Sequence, residues 1–281
     1  MNSVKSTLAA AAKKLAASEA RLLLGHVLDR PAAWLIAHDD AVLEEAALLR
    51  FASLVARRKG GEPVAYLLGY REFYGREFAV SPAVLIPRPE TEMLVDLALA
   101  QKVGAGTTAK CAATGAARIL DLGTGSGCIA ITLALEIPSA QVSAVDASDA
   151  ALSVAYKNAQ RLRASLRLLR SDWFDGLADE QFDLIVANPP YVAEADPHLA
   201  AGDLRHEPPQ ALASGAAGLD AIRRIVAAAP RHLRPGGQLW LEHGYDQDNA
   251  VDVLLVTAGL CDIEQHRDVA DIVRVSGGRL A

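Results

Sequence analysis

The sequence predicts an α/β fold: a doubly wound, seven-stranded, mostly parallel sheet with a small all-helical N-terminal domain joined to it by a β-hairpin. From Arg118 onward, short β-rich runs alternate with helical patterns, as in parallel sheets whose strands are linked by crossover helices. Before Gly69, apolar residues recur at helical spacing instead. The chain has 281 residues, 51% of them hydrophobic, which suffices for one large domain and one small domain.

The helical domain is predicted over residues 1–69. Its predicted elements are a helix over 4–17, a helix over 19–29, a short turn around 34–37 and a helix over 42–59. Ser18 is a suitable N-cap between the first two helices. Gly60-Gly61 should end the last helix with a left-handed residue, because glycine adopts positive φ at little cost.

A β-hairpin linker is predicted over residues 70–86, because alternating apolar residues flank Gly75. The run IPRPETE at 86–92 then leads into a helix from about Glu90 to Gln101. Residues 102–117 are small and low in complexity, which is typical of a surface connection.

The third predicted domain covers residues 87–281 and contains the sheet. Its strands are expected at 118–122, 141–145, 166–170, 182–187, 238–243, about 261–267 and 271–275. Helices fit between them at 127–136, 149–163, 219–233 and 246–258. Only Arg267 to Ala270 separates the last two strands. This gap is too short for a helical crossover, so these two strands should pair antiparallel at the sheet edge.

The charge distribution argues against a protein that grips duplex DNA. The formal net charge is -6; residues 1–75 carry 10 basic and 8 acidic side chains, and the remainder carries 18 and 26. Proteins that bind DNA usually present a basic footprint, because phosphate contacts dominate their affinity. The larger part of this chain has no such excess, and we expect no nucleic-acid partner.

The spacing of the cysteines and the length of the apolar runs indicate the cellular compartment of the protein. Cys111, Cys128 and Cys261 lie far apart without C-x-x-C spacing, which predicts no disulfide framework and no metal site. No run approaches the roughly 18 apolar residues of a membrane span. Lysines interrupt the N-terminal helix where a signal peptide would be apolar. We therefore expect a reduced, cytoplasmic protein that does not enter a membrane.

A strand that runs into a glycine-rich turn and a helix predicts a ligand site. Asp121 lies in the strand, and Gly123-Thr124-Gly125-Ser126-Gly127 forms the turn, whose glycines let the backbone approach a ligand. A dinucleotide fingerprint would need glycine where Cys128 stands, and the Gly-Lys-Ser/Thr of a P-loop is absent. The turn therefore suits a nucleoside-type ligand without a pyrophosphate.

Acidic and aromatic residues follow the next two strands. Asp146 ends the second strand, where it is placed to accept both ribose hydroxyls of an adenosine. After the third strand, Asp172 offers an acceptor for an adenine amino group, and Trp173 offers either an aromatic face or ordinary core packing. These residues follow the carboxyl ends of neighbouring strands, where open α/β sheets bind ligands.

The run Asn188-Pro189-Pro190-Tyr191 follows the apolar strand 182–187. The Asn188 side chain and the Pro189 carbonyl can each accept one N–H of a substrate –NH₂ group, which orients its nitrogen for attack. Pro189 and Pro190 stiffen the loop, and Tyr191 can line one face of a planar group. The arrangement suits any planar –NH₂ group, including an amide, adenine N6 and cytosine N4.

In this order the motifs resemble those of class I S-adenosylmethionine-dependent methyltransferases, and more narrowly those of the glutamine N5-methyltransferases that modify peptide-chain release factors. The motifs span nearly the whole chain: PVAYLLG at 63–69, IPRPETE at 86–92, LDLGTGSG at 120–127, NPPY at 188–191, EPPQAL at 207–212, PGG at 235–237 and LEHG at 241–244. The sequence departs from the family at two places. Ser171 replaces the glycine usual before Asp-Trp, and Ile272-Val273 stands where Asp-Arg is expected.

The resemblance implies that S-adenosylmethionine is the cofactor and that the glutamine of a release-factor Gly-Gly-Gln motif is the methyl acceptor. It implies that the cofactor contacts the glycine-rich turn, Asp121, Asp146, Asp172, Trp173 and Asn188. Asn188, Pro189 and Tyr191 are then the catalytic residues, and all four residues of NPPY bind substrate. The helical domain becomes the substrate-recognition domain, and we expect a monomer.

Three alternatives remain on the residues alone. An N6-adenine DNA methyltransferase would want a basic recognition region, whereas the insertion 192–218 holds Glu194, Asp196, Asp203 and Glu207 against Arg205. A ribosomal-protein glutamine methyltransferase is expected to share NPPY but not the Arg-Pro-Glu-Thr-Glu run. A module that binds S-adenosylmethionine without activity would not need the intact Asn188.

Overall fold

The structure, a computed structural model, describes residues 2–100 and 116–281. It comprises two compact units. The helical unit consists of the chain up to Tyr70 together with Ala201–His206, and the sheet unit consists of Arg71–Ala200 and Glu207–Ala281. Most of the predicted connection over 102–117, and the predicted helix end at Gln101, lie outside the described residues.

The helical unit contains α1 (Val4–Ala11), α2 (Ala17–Leu28), α3 (Ala32–Ala37), α4 (Glu45–Lys59) and α5 (Val64–Leu68). The predicted first helix was too long, because the alanine-rich run carries no stop signal at Ala11. The prediction of Ser18 as an N-cap was also wrong, since Ser18 lies inside α2. The cap that forms is Ser3, whose hydroxyl accepts the Ser6 N–H at 3.2 Å while the Ser6 hydroxyl accepts the Ser3 N–H at 3.0 Å.

Two further details of the helical unit differ from the prediction. The segment expected as a turn around 34–37 belongs to α3, and α4 begins at Glu45 rather than at 42. At the end of α4, Gly60 keeps a helical φ of -70°, and Gly61 is the left-handed residue at φ +95°. The side chains that face inward form one apolar core, which includes Leu23, Leu24, Leu35 and Phe51.

The predicted hairpin forms from β1 (Tyr70–Phe73) and β2 (Arg76–Ala79). Its two loop residues, Tyr74 and Gly75, both have positive φ, as tight hairpin turns require. The helix predicted from Glu90 begins as a 3₁₀ turn over Pro89–Thr91 and continues as α6 (Glu92–Ala100).

The seven predicted strands of the large sheet are confirmed: β3 (Arg118–Leu122), β4 (Gln141–Asp146), β5 (Arg167–Arg170), β6 (Phe182–Ala187), β7 (Leu233–Glu242), β8 (Leu260–Arg267) and β9 (Val273–Leu280). Their order across the sheet is β5-β4-β3-β6-β7-β9-β8. Helices α7 (Cys128–Glu136), α8 (Asp149–Leu162), α9 (Asp220–His232) and α10 (Asp248–Thr257) alternate with them. As predicted from the short gap, β8 and β9 pair antiparallel, with β8 at the edge.

The prediction for β9 ended too early, because Gly277 and Gly278 lower the strand propensity of its second half. Packing requires these glycines. A Cβ on Gly277 would lie 2.2 Å from the Trp240 ring, and one on Gly278 would lie 2.5 Å from Ile263. The close approach of β9 to its neighbours therefore excludes a side chain at both positions.

The order of the strands determines where in the sheet a ligand can bind. Sequence order reverses at β3, which pairs with β4 on one side and with β6 on the other, all three parallel. The carboxyl ends of these strands therefore open onto a switch point, where α/β sheets bind ligands. Both faces of the sheet are covered by apolar clusters, which keeps the strand ends in fixed positions.

Asn158, in α8, connects the hairpin to the glycine-rich turn. Its side chain is fully buried; Oδ1 accepts the Ala79 N–H at 2.8 Å, and Nδ2 donates to the carbonyls of Ala79 at 3.0 Å and Ser126 at 2.9 Å. All of these backbone groups would be buried without a partner if the amide were removed. Asn158 thus stabilises the turn from behind.

We expect Asn158→Ala to lower the free energy of unfolding by about 2–4 kcal/mol, because it orphans several buried backbone groups. Urea denaturation followed by circular dichroism measures this. Asn249→Ala, on the exposed side of α10, is the matched control and should change stability by no more than about 0.5 kcal/mol. Equal stability of the two variants would contradict the assignment.

Candidate active site

A cavity of about 490 Å³ lies in the sheet unit at the carboxyl ends of the strands, where the sequence predicts a ligand site. Nine residues predicted from the sequence line it: Gly123, Thr124, Gly125, Ser126, Asp146, Asp172, Trp173, Asn188 and Pro190. The four predicted residues that do not line it are Asp121, Gly127, Pro189 and Tyr191. The cavity wall also contains residues that the sequence did not single out, among them Ala83 to Leu85, Arg88, Thr91, Gln210 and Arg224.

The glycine-rich turn is held by backbone hydrogen bonds. The N–H groups of Gly123 and Thr124 both donate to the Val145 carbonyl, at 2.9 Å each. Gly123 and Gly125 have φ of +71° and +55°, which a β-carbon would strain. Gly127 acts differently: a Cβ there would lie 2.7 Å from Ile131, so its role in the structure is helix packing rather than lining the cavity.

Asp146 is anchored to this turn. Its Oδ2 accepts the Gly125 N–H at 2.9 Å, and its Oδ1 accepts the Ser148 N–H at 2.9 Å. Burial raises the pKa of Asp146, and these two hydrogen bonds oppose the rise. Each carboxylate oxygen keeps a further lone pair, so the group can still accept hydroxyls from the cavity.

Asp121 lies behind the turn and is fully buried. Its Oδ2 accepts the Thr124 hydroxyl at 2.7 Å, whereas Oδ1 has no hydrogen-bond partner within the described residues. Burial raises the pKa of this carboxyl to about 7, while the Thr124 hydroxyl opposes the rise. Asp121 therefore supports the turn through Thr124 and does not itself line the cavity.

Asp172 and Trp173 form the far end of the cavity. Asp172 is exposed, and its carboxylate pairs with Arg224 at 2.9 Å, a partner that the sequence did not predict because it lies 52 residues away. Trp173 is half-buried and packs against the core as well as lining the cavity, so both of its predicted roles are compatible with its position. A Cβ on Gly123 would approach the Trp173 ring to 3.3 Å.

Ser171, the departure from the expected glycine, has a local function. Trp173 adopts φ +52°, which is unfavourable for a large side chain. The Ser171 hydroxyl donates to the Trp173 carbonyl at 2.8 Å and accepts the Gly176 N–H at 2.8 Å. Ser171 thereby supports the turn that presents Trp173.

The Asn188-Pro189-Pro190-Tyr191 motif begins directly after β6. The Asn188 amide Nδ2 donates to Thr91 Oγ1 at 3.0 Å, and the Thr91 hydroxyl donates to Glu242 Oε2 at 2.7 Å. The Tyr191 hydroxyl donates to Glu242 Oε1 at 3.1 Å. Glu242 is buried, and burial raises its pKa despite these two donors. The motif is therefore tied to a buried carboxylate that the sequence did not identify as part of the site.

Pro189 and Tyr191 lie beside the cavity rather than in its wall. Pro189 is buried, and the half-buried Tyr191 ring packs against the core while its hydroxyl contacts Glu242. Burial raises the pKa of Tyr191 above its ordinary value, with the Glu242 charge adding to this. Tyr191 is therefore held as a neutral donor.

The side of the cavity opposite the glycine-rich turn is held by Glu207. This carboxylate is buried; it accepts the Ile86 N–H at 2.9 Å and pairs with Arg88, which lines the cavity. The Glu207 contacts join two segments more than a hundred residues apart. Sequence reasoning did not identify Thr91, Glu207 and Glu242 as residues of the site. The one available signal was that each lies in a run that supported the family resemblance.

Neither a metal site nor a membrane span is found in the part of the chain that the structure describes. No group of three or more His, Cys, Asp or Glu side chains in residues 2–100 and 116–281 is placed to hold a metal ion. No helix among the same residues is long and apolar enough to cross a bilayer.

Comparisons with known proteins follow the same division of the chain. The family model described as "Methyltransferase small domain" matches residues 107–249, and that described as "PrmC N-terminal domain" matches residues 1–69. Proteins named release factor glutamine methyltransferase are similar over nearly their whole length. That of Bordetella pertussis is 52% identical over 93% of this chain and 94% of its own, and that of Escherichia coli is 44% identical over 93% and 91%.

Solved structures show the same fold at low sequence identity. A methyltransferase from Pyrococcus furiosus aligns with a TM-score of 0.54 at 17% identity, covering 81% of this chain and 98% of its own. A Thermus thermophilus 16S rRNA N2 G1207 methyltransferase, solved with AdoMet and guanosine, aligns with a TM-score of 0.54 at 22% identity, covering 75% and 50%.

Because the pKa of Asp121 is raised, the stability of the folded chain should depend on pH. Because its pKa is about 7 when folded against 3.8 for an ordinary Asp, the folded chain holds the proton more tightly than the unfolded chain does. Its contribution therefore favours folding at low pH and is lost as pH rises from about 4 to about 7.

We expect Asp121→Asn to remove this pH dependence and to raise the melting temperature more at pH 8 than at pH 5. Thermal unfolding of the cofactor-free protein at both values measures the difference. An equal effect at the two pH values would show that the carboxyl ionises normally.

Proposed function

The chain belongs to the release factor glutamine methyltransferase family, and from this we propose that it transfers a methyl group from S-adenosylmethionine to the glutamine side-chain nitrogen (N5) of a release-factor Gly-Gly-Gln motif. The observation that carries the proposal is that Asn188 and Pro190 of the Asn-Pro-Pro-Tyr run line the same cavity as the glycine-rich turn. The relatives described above carry the release-factor name, which favours this activity over the N6-adenine DNA and ribosomal-protein alternatives.

The residues present fit S-adenosylmethionine. Asp146 lines the cavity, and the remaining lone pairs of its carboxylate can accept ribose hydroxyls. We assign Asp172 to the adenine amino group and Trp173 to the adenine ring. When bound, the cofactor supplies a methyl group on a sulfonium, an excellent leaving group, so no strong general base is needed.

Asn188 and Pro189 perform the orientation step. An amide nitrogen is a poor nucleophile, because its lone pair is delocalised into the carbonyl. The Asn188 Oδ1 and the Pro189 carbonyl each accept one N–H of the glutamine amide, which aims the nitrogen at the methyl group and increases its electron density. With the cofactor bound, the N–C bond would form as the S–C bond breaks, and the amide would then lose one proton to solvent.

Incubation with label in the cofactor methyl group, together with release factor or with DNA, tests this function. We expect label in release factor. We expect Asn188→Ala still to bind the cofactor, with a loss of affinity by calorimetry much smaller than its loss of turnover, which should be on the order of 100-fold. Label in DNA alone would refute the function, and an unchanged rate would remove Asn188 from the mechanism.

The helical unit is proposed to recognise the release factor outside its methylated loop. A cleft of about 610 Å³ in this unit is lined by five basic side chains, Lys13, Lys14, Arg58, Lys59 and Arg205, and only two acidic ones, Glu19 and Asp203. Both acids pair with Arg58, at 2.8 and 2.7 Å. The three lysines have no ion-pair partner among the described residues, so the cleft fits an acidic protein segment.

We expect the triple charge reversal Lys13→Glu, Lys14→Glu and Lys59→Glu to lower kcat/KM for whole release factor about 10-fold or more, mainly through KM. The loss should shrink at high salt, and activity on a Gly-Gly-Gln peptide should not change. Lys5→Glu, in the same unit but paired with Asp39, is the matched control. Equal losses on protein and peptide would mean that the cleft is only structural.

The remaining assignments follow from this function. A protein that modifies a translation factor is expected in the cytoplasm, acting as a monomer without nucleic acid or membrane as partner.

A further inference from the structure

Three side chains meet at the mouth of the sheet beside the catalytic motif. Ala187 and Leu241 are register partners on neighbouring parallel strands, so Asn188 and Glu242, the residues that follow them, emerge side by side. Thr91, at the end of the 3₁₀ turn, reaches between them and bonds to both. Thr91 is 2% exposed and Glu242 is 1% exposed, so solvent does not compete for these hydrogen bonds.

The hydrogen-bond inventory fixes the direction of each bond. While Glu242 is ionised, its carboxylate can only accept, so the single Thr91 proton goes to Glu242. The Thr91 oxygen is then left with lone pairs alone and can only accept from Asn188. The Asn188 carboxamide therefore turns its NH₂ toward Thr91, and its Oδ1 is the end left for another partner.

We propose that Thr91 and Glu242 are positioning residues that lock the Asn188 carboxamide in the orientation able to accept a hydrogen bond from the substrate amide. The inference rests on the proposed function and names the residues that orient its acceptor. With the amide reversed, Asn188 would present N–H donors to the N–H donors of the substrate. The substrate nitrogen would then lose one of its two fixed hydrogen bonds.

This orientation of the Asn188 carboxamide, which we call the lock, depends on the negative charge of Glu242. A protonated Glu242 could donate to Thr91, which would free the Thr91 proton to bond Asn188 Oδ1 and reverse the amide. Glu90 also raises the pKa of Glu242, whereas the Thr91 and Tyr191 hydroxyls and the Arg274 charge lower it. The lock should therefore weaken as the solution becomes acidic enough to protonate this group.

Two substitutions distinguish the effect of the Thr91 hydroxyl from the effect of the side-chain volume. Thr91→Val keeps the shape and removes the hydroxyl, and Thr91→Ser keeps the hydroxyl and removes a methyl group. On a Gly-Gly-Gln peptide we expect Thr91→Val to lower kcat on the order of 10- to 100-fold, with cofactor affinity within about twofold of wild type. Thr91→Ser should stay within about threefold. Equal loss in both variants, or none in Thr91→Val, would overturn the proposal.

A measurement on the protein without substrate distinguishes the failure of this proposal from the failure of the proposed function. In substrate-free protein, the Asn188 side-chain NH₂ signals are followed by nuclear magnetic resonance with ¹⁵N labelling. We expect one slowly exchanging proton in wild type and Thr91→Ser, and fast exchange of both in Thr91→Val and in Glu242→Gln at the same pH. Identical exchange in wild type and Thr91→Val would overturn the lock. Absent methyl transfer by wild type would instead refute the proposed function.

Discussion

The buried carboxylate of Glu242 is the interaction on which the acceptor side of the site depends. A charge taken out of water is costly unless donors surround it, and here the donors are the hydroxyls of Thr91 and Tyr191. Thr91 precedes α6, and Tyr191 ends the catalytic loop, so the carboxylate joins two segments distant in sequence. Satisfying one buried group thereby fixes the loop, and the loop position fixes Asn188.

The two sides of the cavity are built in different ways. The cofactor side consists mostly of backbone: a turn of positive-φ glycines bonded to the end of β4, with Asn158 supporting it from behind. The acceptor side consists of side-chain contacts between distant segments, such as Glu207 with Ile86 and Arg88. Backbone geometry suits a ligand common to many enzymes of this fold, whereas side-chain contacts can be tuned to one substrate.

This difference explains what the sequence could predict. The seven strands and the glycine-rich turn are encoded locally, by periodicity and by glycine placement, and the structure contains them as the sequence predicts. The contacts of Thr91, Glu242 and Arg224 are not local, and no spacing rule reveals them. The same reason applies to Ala201–His206, which joins the helical unit through contacts such as Asp203 with Arg58. The error at Ser18 arose because α2 begins at Ala17 without any side-chain cap. The error in β9 arose because close packing requires two glycines inside a strand.

The central claim is that the methyl acceptor is a carboxamide nitrogen held by Asn188 and Pro189. Tandem mass spectrometry of release factor after reaction tests it most directly, because fragmentation locates the added methyl group. The account predicts a single methyl group on the side-chain nitrogen of the glutamine in Gly-Gly-Gln. A methyl group on another residue, or as an ester on a carboxylate, would contradict it.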